Sequence, residues 1–312
     1  MKVISVVIPC YNVESKIIKC IDSLKAQSYK NFKCYLIDDG STDDTAISIK
    51  KAIKNDSRFE YVYKENGGQA SARNRGIDLS STKYITFIDS DDYIHPDYLL
   101  KLYTPFSYSN EVQLSACFFE RIYENKKSIN SFNETDLYLS KYPAVWGKMF
   151  LLDLINEKKI RFPLGLWYED LCFFTEYMSY VMNISIVNDS LYYYMQNPNS
   201  VMYTYSDKIY DIFKIFDILK TKTINKERLG YIMIYHILIG TIFRVSFKPN
   251  FDKNEIQSIM SEFNKQYPSW NKNKYIKKCM PLFYRIYLVS LAHGNYLLIY
   301  YILSKLNKYL YL

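Results

Sequence analysis

Residues 32–54 read FKCYLIDDGSTDDTAISIKKAIK, and this stretch decides the fold. Phe32 to Ile37 is a short apolar run suited to a buried strand. It breaks at Asp38-Asp39-Gly40-Ser41-Thr42, a turn that doubles as a helix N-cap, and a helix over Asp43–Lys54 follows. The same unit repeats on both sides. Upstream, Val3–Pro9 is a β-branched strand, and Glu14–Ala26 has helical spacing at Ile17, Ile18, Ile21 and Leu24. Downstream, Phe59–Tyr63 is a strand, Gly67-Gly68 opens a helix through Ile77, and Tyr84–Ile88 is the next strand. Alternation of this kind predicts parallel strands joined by crossover helices, an α/β sheet. Ligands of such sheets bind outside the carboxyl ends of the strands. Asp38/Asp39 and Asp89/Asp91/Asp92 both fall at those ends, so they are expected to share one rim.

Beyond about residue 110 the pattern is mixed. Val112–Phe119 is predicted as a strand, and Ala144–Asn156 and Tyr168–Met182 as helices. From Asp207 onward the chain is expected to be helical, with segments at 207–221, 226–246 and 252–266. Two apolar segments, Ile286–Ala292 and Tyr296–Leu303, flank His293-Gly294-Asn295, and each falls short of the roughly 20 residues that span a bilayer. The expected division is an α/β domain over 1–205, with halves over 1–110 and 111–205, and a helical region over 206–312.

Composition narrows the function classes. Apolar residues make up 49% of the 312, which fits a globular protein. The formal charge of +8 is uneven: residues 1–100 hold 14 basic and 14 acidic side chains. Residues 272–312 hold seven basic residues and no acidic one. A nucleic-acid binder would spread basic charge through its main domain, so that class is set aside. The six cysteines form no CxxC pair and several sit in apolar runs, as expected of buried thiols in a reducing compartment. The three histidines are too scattered for a His-rich zinc site. The N-terminal MKVISVVIPCYN reads as a first strand rather than a signal peptide, so a cytoplasmic location is expected.

Asp89-Ser90-Asp91-Asp92 is the strongest local chemical signal. Carboxylates at i and i+2 after a buried strand can both face a hard cation, Mn²⁺ or Mg²⁺, which readily bridges to a diphosphate. Asp after a strand is also ordinary capping chemistry, and HPDYLLKLY follows. The ordered set ISVVIPCYNVE, LIDDGSTDDT, ENGGQASARNRGI and YITFIDSDD over residues 4–92 goes further. It resembles the family 2 inverting glycosyltransferases of the GT-A fold, closely over about 90 residues and more loosely to about residue 205. The implied architecture is a Rossmann-like nucleotide-sugar transferase domain with a mainly helical C-terminal extension.

The resemblance implies a role for each matching position. Pro9 and Tyr11 frame the nucleotide base, and Asp39 accepts a hydrogen bond from a uracil-type N–H, which points to a UDP-sugar. Arg73 lies beside the donor diphosphate. Asp89 reaches the ribose or metal, Asp91 ligates the metal, and Asp92 either joins them or caps the next helix. In Leu166-Trp167-Tyr168-Glu169-Asp170-Leu171, Asp170 is the general base and Glu169 orients the acceptor or supports the site. An inverting displacement needs such a carboxylate to remove the acceptor hydroxyl proton. Acidic residues in a helix's first turn are also ordinary capping. Trp146-Gly147-Lys148 matches a segment near the acceptor pocket, where Trp146 would stack on a sugar unless it is a core aromatic, and Lys148 lies alongside. Relatives often carry a Tyr-Arg pair before a closing loop; here Met195 stands in the Arg position, and Ser200 is the loop's candidate donor contact.

The implied reaction moves a sugar from a nucleotide-sugar to a saccharide or lipid-linked acceptor in surface-polysaccharide synthesis. A non-catalytic nucleotide- or carbohydrate-binding module on the same fold is the alternative. A nucleotidyltransferase would want a Gly-rich basic phosphate loop where this chain has IPCYNVE. Basic residues among Tyr-, Leu- and Ile-rich segments over 272–312 suit peripheral contact with the inner face of the cell membrane. A helical pair packed on the catalytic domain, or a homodimer contact, is the competing reading of that tail.

Overall fold

The computed structural model describes residues 3–123, 126–196, 206–223, 225–248 and 250–310, with side chains as far as 303. The chain divides into two compact units. The first comprises residues 1–138, 142–165 and 169–197. The second comprises 139–141, 166–168 and 198–312.

The first unit is built on one nine-stranded sheet. Its strands are β1 (Ile4–Cys10), β2 (Phe32–Asp38), β3 (Phe59–Tyr63), β4 (Tyr84–Phe87), β5 (Tyr93–Ile94), β6 (Leu114–Ile122), β7 (Lys127–Asn130), β8 (Lys148–Leu151) and β9 (Ile184–Met195). They run in the order β3-β2-β1-β4-β8-β6-β9-β5, with β7 beside β6. The helices are α1 (Ile17–Lys25), α2 (Thr45–Ala52), α3 (Gln69–Leu79), α4 (Tyr98–Tyr108), α5 (Glu134–Tyr138), α6 (Leu152–Glu157) and α7 (Glu169–Tyr177). All seven residues of β1 are buried, because parallel neighbours flank it on both sides. That position explains a continuous apolar run rather than an alternating one. Register then fixes the rim. Cys10 pairs with Asp38 and Val7 with Phe87, so Asp38/Asp39 and Asp89–Asp92 leave the same carboxyl edge, as the alternation predicts.

One glycine sets the depth of α3 on that sheet. A Cβ on Gly76 would lie 2.2 Å from Val7 Cγ1, closer than any real contact, so the helix backbone rests directly on β1. Arg73 stands three residues earlier on the same helical face and is carried into the interior with it.

The second half of the sheet departs from the sequence reading. Ala144–Asn156 is not one helix: β8 pairs antiparallel with β4 and β6, and only Leu152–Glu157 is helical. Gly147 takes φ +68° and Trp146 bridges to Phe87, which ends any helical run before Lys148. The strand β9 lies parallel to β6, with register shifts between Cys117 and Phe119.

The second unit is helical, with α-helical segments at Asp211–Lys222, Lys226–Met233, Ile242–Val245, Lys253–Gln266, Lys274–Cys279, Leu282–Ala292 and Tyr296–Leu310. Ile234–Thr241 is π-helical and joins two of them. The resulting run Lys226–Val245 has the length and apolarity of a membrane span, but 67% of its apolar window is buried, as in a core helix. The six cysteines are free thiols, five of them buried.

Candidate active site

The turn after β2 is pinned by its own aspartates. Asp38 accepts the Ser41 N–H at 2.9 Å and the Tyr61 hydroxyl at 2.7 Å. The buried Asp39 carboxylate accepts the Gly67 and Gly68 amides at 3.1 and 2.7 Å and pairs with Lys64. Those amides open α3, where the helix dipole favours an anion. Pro9 is buried at the end of β1, while Tyr11, just beyond, is half exposed. Asp39, Pro9 and Tyr11 therefore leave the carboxyl edge at neighbouring strands.

The centre of the site is Arg73, whose side chain is 1% exposed. One guanidinium nitrogen donates to Asp89 Oδ1 at 2.8 Å. The other donates to Asp170 Oδ1 at 2.6 Å and Glu169 Oε1 at 3.2 Å. The two acidic blocks, about eighty residues apart in sequence, thus converge on one cation. Asp89 Oδ1 also accepts from Gln69 at 3.1 Å, while Oδ2 has no hydrogen bond or ion pair among the described residues. Burial pushes the Asp170 carboxyl up to about 7; Arg73 pulls it down, and Glu169 and Asp89 push it further up. Among the described residues its Oδ2 meets only the Val145 N–H, at 3.4 Å. With three carboxylates around it, Arg73 itself is held firmly protonated.

Asp91 and Asp92 take different environments. Asp91 is 40% exposed, with Lys16 Nζ at 3.5 Å. Burial and the negative charge of Asp89 raise its pKa. Asp92 is buried and accepts the Tyr192 hydroxyl at 2.6 Å and the Met195 N–H at 2.8 Å. Burial, with Asp89 second, raises its pKa well above the usual carboxylate range. The Tyr192 oxygen also accepts the Asp89 N–H at 3.1 Å, so β9 is tied to the turn that carries both outer aspartates. Nothing in the sequence singles out Tyr192 among 33 tyrosines. The same holds for Gln69 and Lys16.

Trp146 stacks on Tyr192 with centroids 4.5 Å apart and an interplanar angle of 10°, and Phe119 and Tyr194 lie against it as well. Lys148 is buried and donates to the Ala144 carbonyl at 2.6 Å. Burial lowers its pKa to about 8. Ser200 lies outside the described residues.

With that geometry in view, residues 5–155 match the family model described as Glycosyl transferase family 2. Residues 5–155 belong to glycosyltransferase family 2. Within the family the chain is 30% identical over 258 residues to the glycosyltransferase GlyA of Streptococcus pneumoniae, covering 76% of this chain and 36% of GlyA. It therefore spans about a third of that relative's length. The solved structure of S. aureus TarS residues 1–349 with UDP-GlcNAc aligns at a TM-score of 0.75 and 20% identity, over 99% of this chain and 92% of that one. The mannosyltransferase PcManGT of Pyrobaculum calidifontis, solved with GDP-Man and Mn²⁺, aligns at 0.60 and 14%, over 98% and 87%. The fold is that of the GT-A glycosyltransferases.

Proposed function

We propose that this chain transfers a sugar, with inversion, from a UDP-sugar to a hydroxyl of a saccharide or lipid-linked acceptor. The observation that carries the reading is the convergence of Asp89 and Asp170 on the buried Arg73. It sets a carboxylate of the donor block beside one suited to proton removal, at the edge where α/β sheets bind ligands. The relatives' ligands support the donor class: TarS binds UDP-GlcNAc and PcManGT binds GDP-Man. Through the motif resemblance, Pro9, Tyr11 and Asp39 would hold the base, and Ser200 would reach the donor. Trp146 and Lys148 would border the acceptor.

The donor set fits a divalent cation. Asp91 and Asp89 Oδ2 are hard oxygen ligands without other strong partners among the described residues, and their mutual repulsion is the kind a cation relieves. Among the described residues no third acidic, His or Cys ligand joins them, so diphosphate oxygens and water would complete the shell. When bound, Mn²⁺ or Mg²⁺ would offset charge developing on the departing nucleoside diphosphate. Asp170 removes the acceptor proton at Oδ2, since Oδ1 is held by Arg73. A base with pKa near 7 is matched to work at neutral pH. Glu169 shares the Arg73 nitrogen and keeps the pair of carboxylates in one place. Surface-polysaccharide synthesis at the inner membrane face is the setting that the motif resemblance supports.

The test is transfer from a panel of UDP-, GDP- and dTDP-sugars, with Mn²⁺ and with EDTA. Metal-dependent release of UDP, abolished in Asp91→Ala, is the expected result. Nucleotide binding without release of product on any acceptor extract would favour the binding-module reading.

A further inference from the structure

The C-terminal helices carry their apolar residues on the wrong side for a soluble protein. Of the seventeen large hydrophobic side chains exposed among the described residues, eight fall between Leu282 and Ile302. On Leu282–Ala292 the exposed set is Leu282, Phe283, Ile286 and Val289, one helical stripe, each more than half exposed. Leu288 and Leu291, on another face, are buried, and the Tyr287 hydroxyl donates to the Leu238 carbonyl at 3.0 Å. The next helix repeats the design: Leu297, Leu298 and Tyr301 are more than half exposed, and Ile299 and Leu303 are buried. The two helices pack on each other and the second also packs on Lys253–Gln266. Both are thus anchored by one face and bare on another. A surface helix of a soluble domain normally turns polar residues outward, and patches of this kind mark interaction sites.

We infer that this double stripe is a seat for an anionic lipid surface. Charge selects that occupant. Lys272, Lys274, Lys277 and Lys278 are exposed just before the first stripe, and 272–312 has no acidic residue. Apolar side chains would enter the headgroup boundary while the lysines meet lipid phosphates. A two-fold contact with a second copy would instead set the same cations against themselves. The inference goes beyond the transfer reaction, and its test reads no sugar chemistry.

The experiment is co-sedimentation of the full chain with vesicles of phosphatidylcholine alone and of phosphatidylcholine with phosphatidylglycerol. The mixed vesicles should bind about ten-fold more tightly, and binding should weaken as salt rises. The triple variant Phe283→Glu/Ile286→Glu/Leu298→Glu, all at exposed positions, should lose about ten-fold or more of that binding. Its circular dichroism and Tm should match those of the unaltered protein. Lys277→Glu/Lys278→Glu should erase the preference for anionic vesicles. Equal sedimentation of the triple variant, or no binding of the unaltered chain to mixed vesicles, overturns the inference. A dimer seen by light scattering that the triple variant disperses, without vesicle binding, would assign the surface to a second copy.

Discussion

The turn between β4 and β5 and the start of α7 each hold a carboxylate displaced upward by burial, yet the two are built differently. Asp92 has both oxygens taken at good distance by neutral donors, the Tyr192 hydroxyl and the Met195 amide. Asp170 has one oxygen on Arg73 at 2.6 Å and the other, among the described residues, facing only a long amide contact of 3.4 Å. The contrast teaches how to tell a pin from a reagent among acidic residues in one site. A carboxylate whose acceptor capacity is spent inside the fold holds chain segments together. One with an open oxygen and a pKa near 7 can take a proton from elsewhere.

The sharpest break of that contrast is Asp170→Asn. It keeps the shape and removes the proposed base, so kcat should fall by about 10²- to 10⁴-fold while Tm stays near that of the unaltered protein. An unchanged turnover number would show that Asp170 is also a pin. Arg73→Met comes next. Removing the partner of three partly buried carboxylates should cost about 3–5 kcal/mol in denaturant unfolding, with transfer lost as well. A cost under about 1 kcal/mol would mean that solvent already screens the cluster. Tyr192→Phe should be milder, about 1–3 kcal/mol, since Asp92 and the Asp89 amide each lose a partner. If Tyr192 positions the outer aspartates, the variant should also need more metal for half-maximal rate, with little change in kcat at saturating metal.

The smallest effect is on pH dependence. The proposed base works as its carboxylate, so kcat/KM should be lost as pH falls through about 7 and be complete above it. Arg73 is the main group that lowers the Asp170 pKa, ahead of the Val145 amide. Arg73→Lys, if folded, keeps the charge but not the fork and should move this limb upward. A limb near 4 in the unaltered protein would place proton removal on a different, solvated carboxylate.

The contrast also separates what the sequence discloses from what it hides. β1, β2 and β4 were legible because strands buried on both faces are continuous apolar runs, and β1 is buried throughout. Their aspartates were legible because turn chemistry follows directly. β8 is hidden because the four residues Lys148–Leu151 are too few to show a period, and Gly147 marks a break only through its positive φ. β9 is masked in the sequence because Ile184–Met195 is half-buried and carries Asn188-Asp189 mid-strand. In the site, Arg73 was visible as a residue while its partners were not. Pairing 73 with 89, 169 and 170 is a product of α3 resting on β1 through Gly76, which only the folded sheet supplies.

Two tripeptides make the helical unit less detachable than a boundary near residue 205 implies. Leu139–Lys141 and Leu166–Tyr168 cluster with it, although the chain on either side belongs to the sheet unit. The Trp167 amide donates to Asp211, the Tyr168 hydroxyl accepts from Arg244, and His236 bonds the Ser140 carbonyl. Glu169-Asp170 follows Tyr168 directly. A gene fusion that swapped the tail for a foreign one would therefore unpick the residues leading into the acidic pair. This architecture favours inheritance as a whole over exchange of parts, and grafted hybrids should be made with both tripeptides carried along.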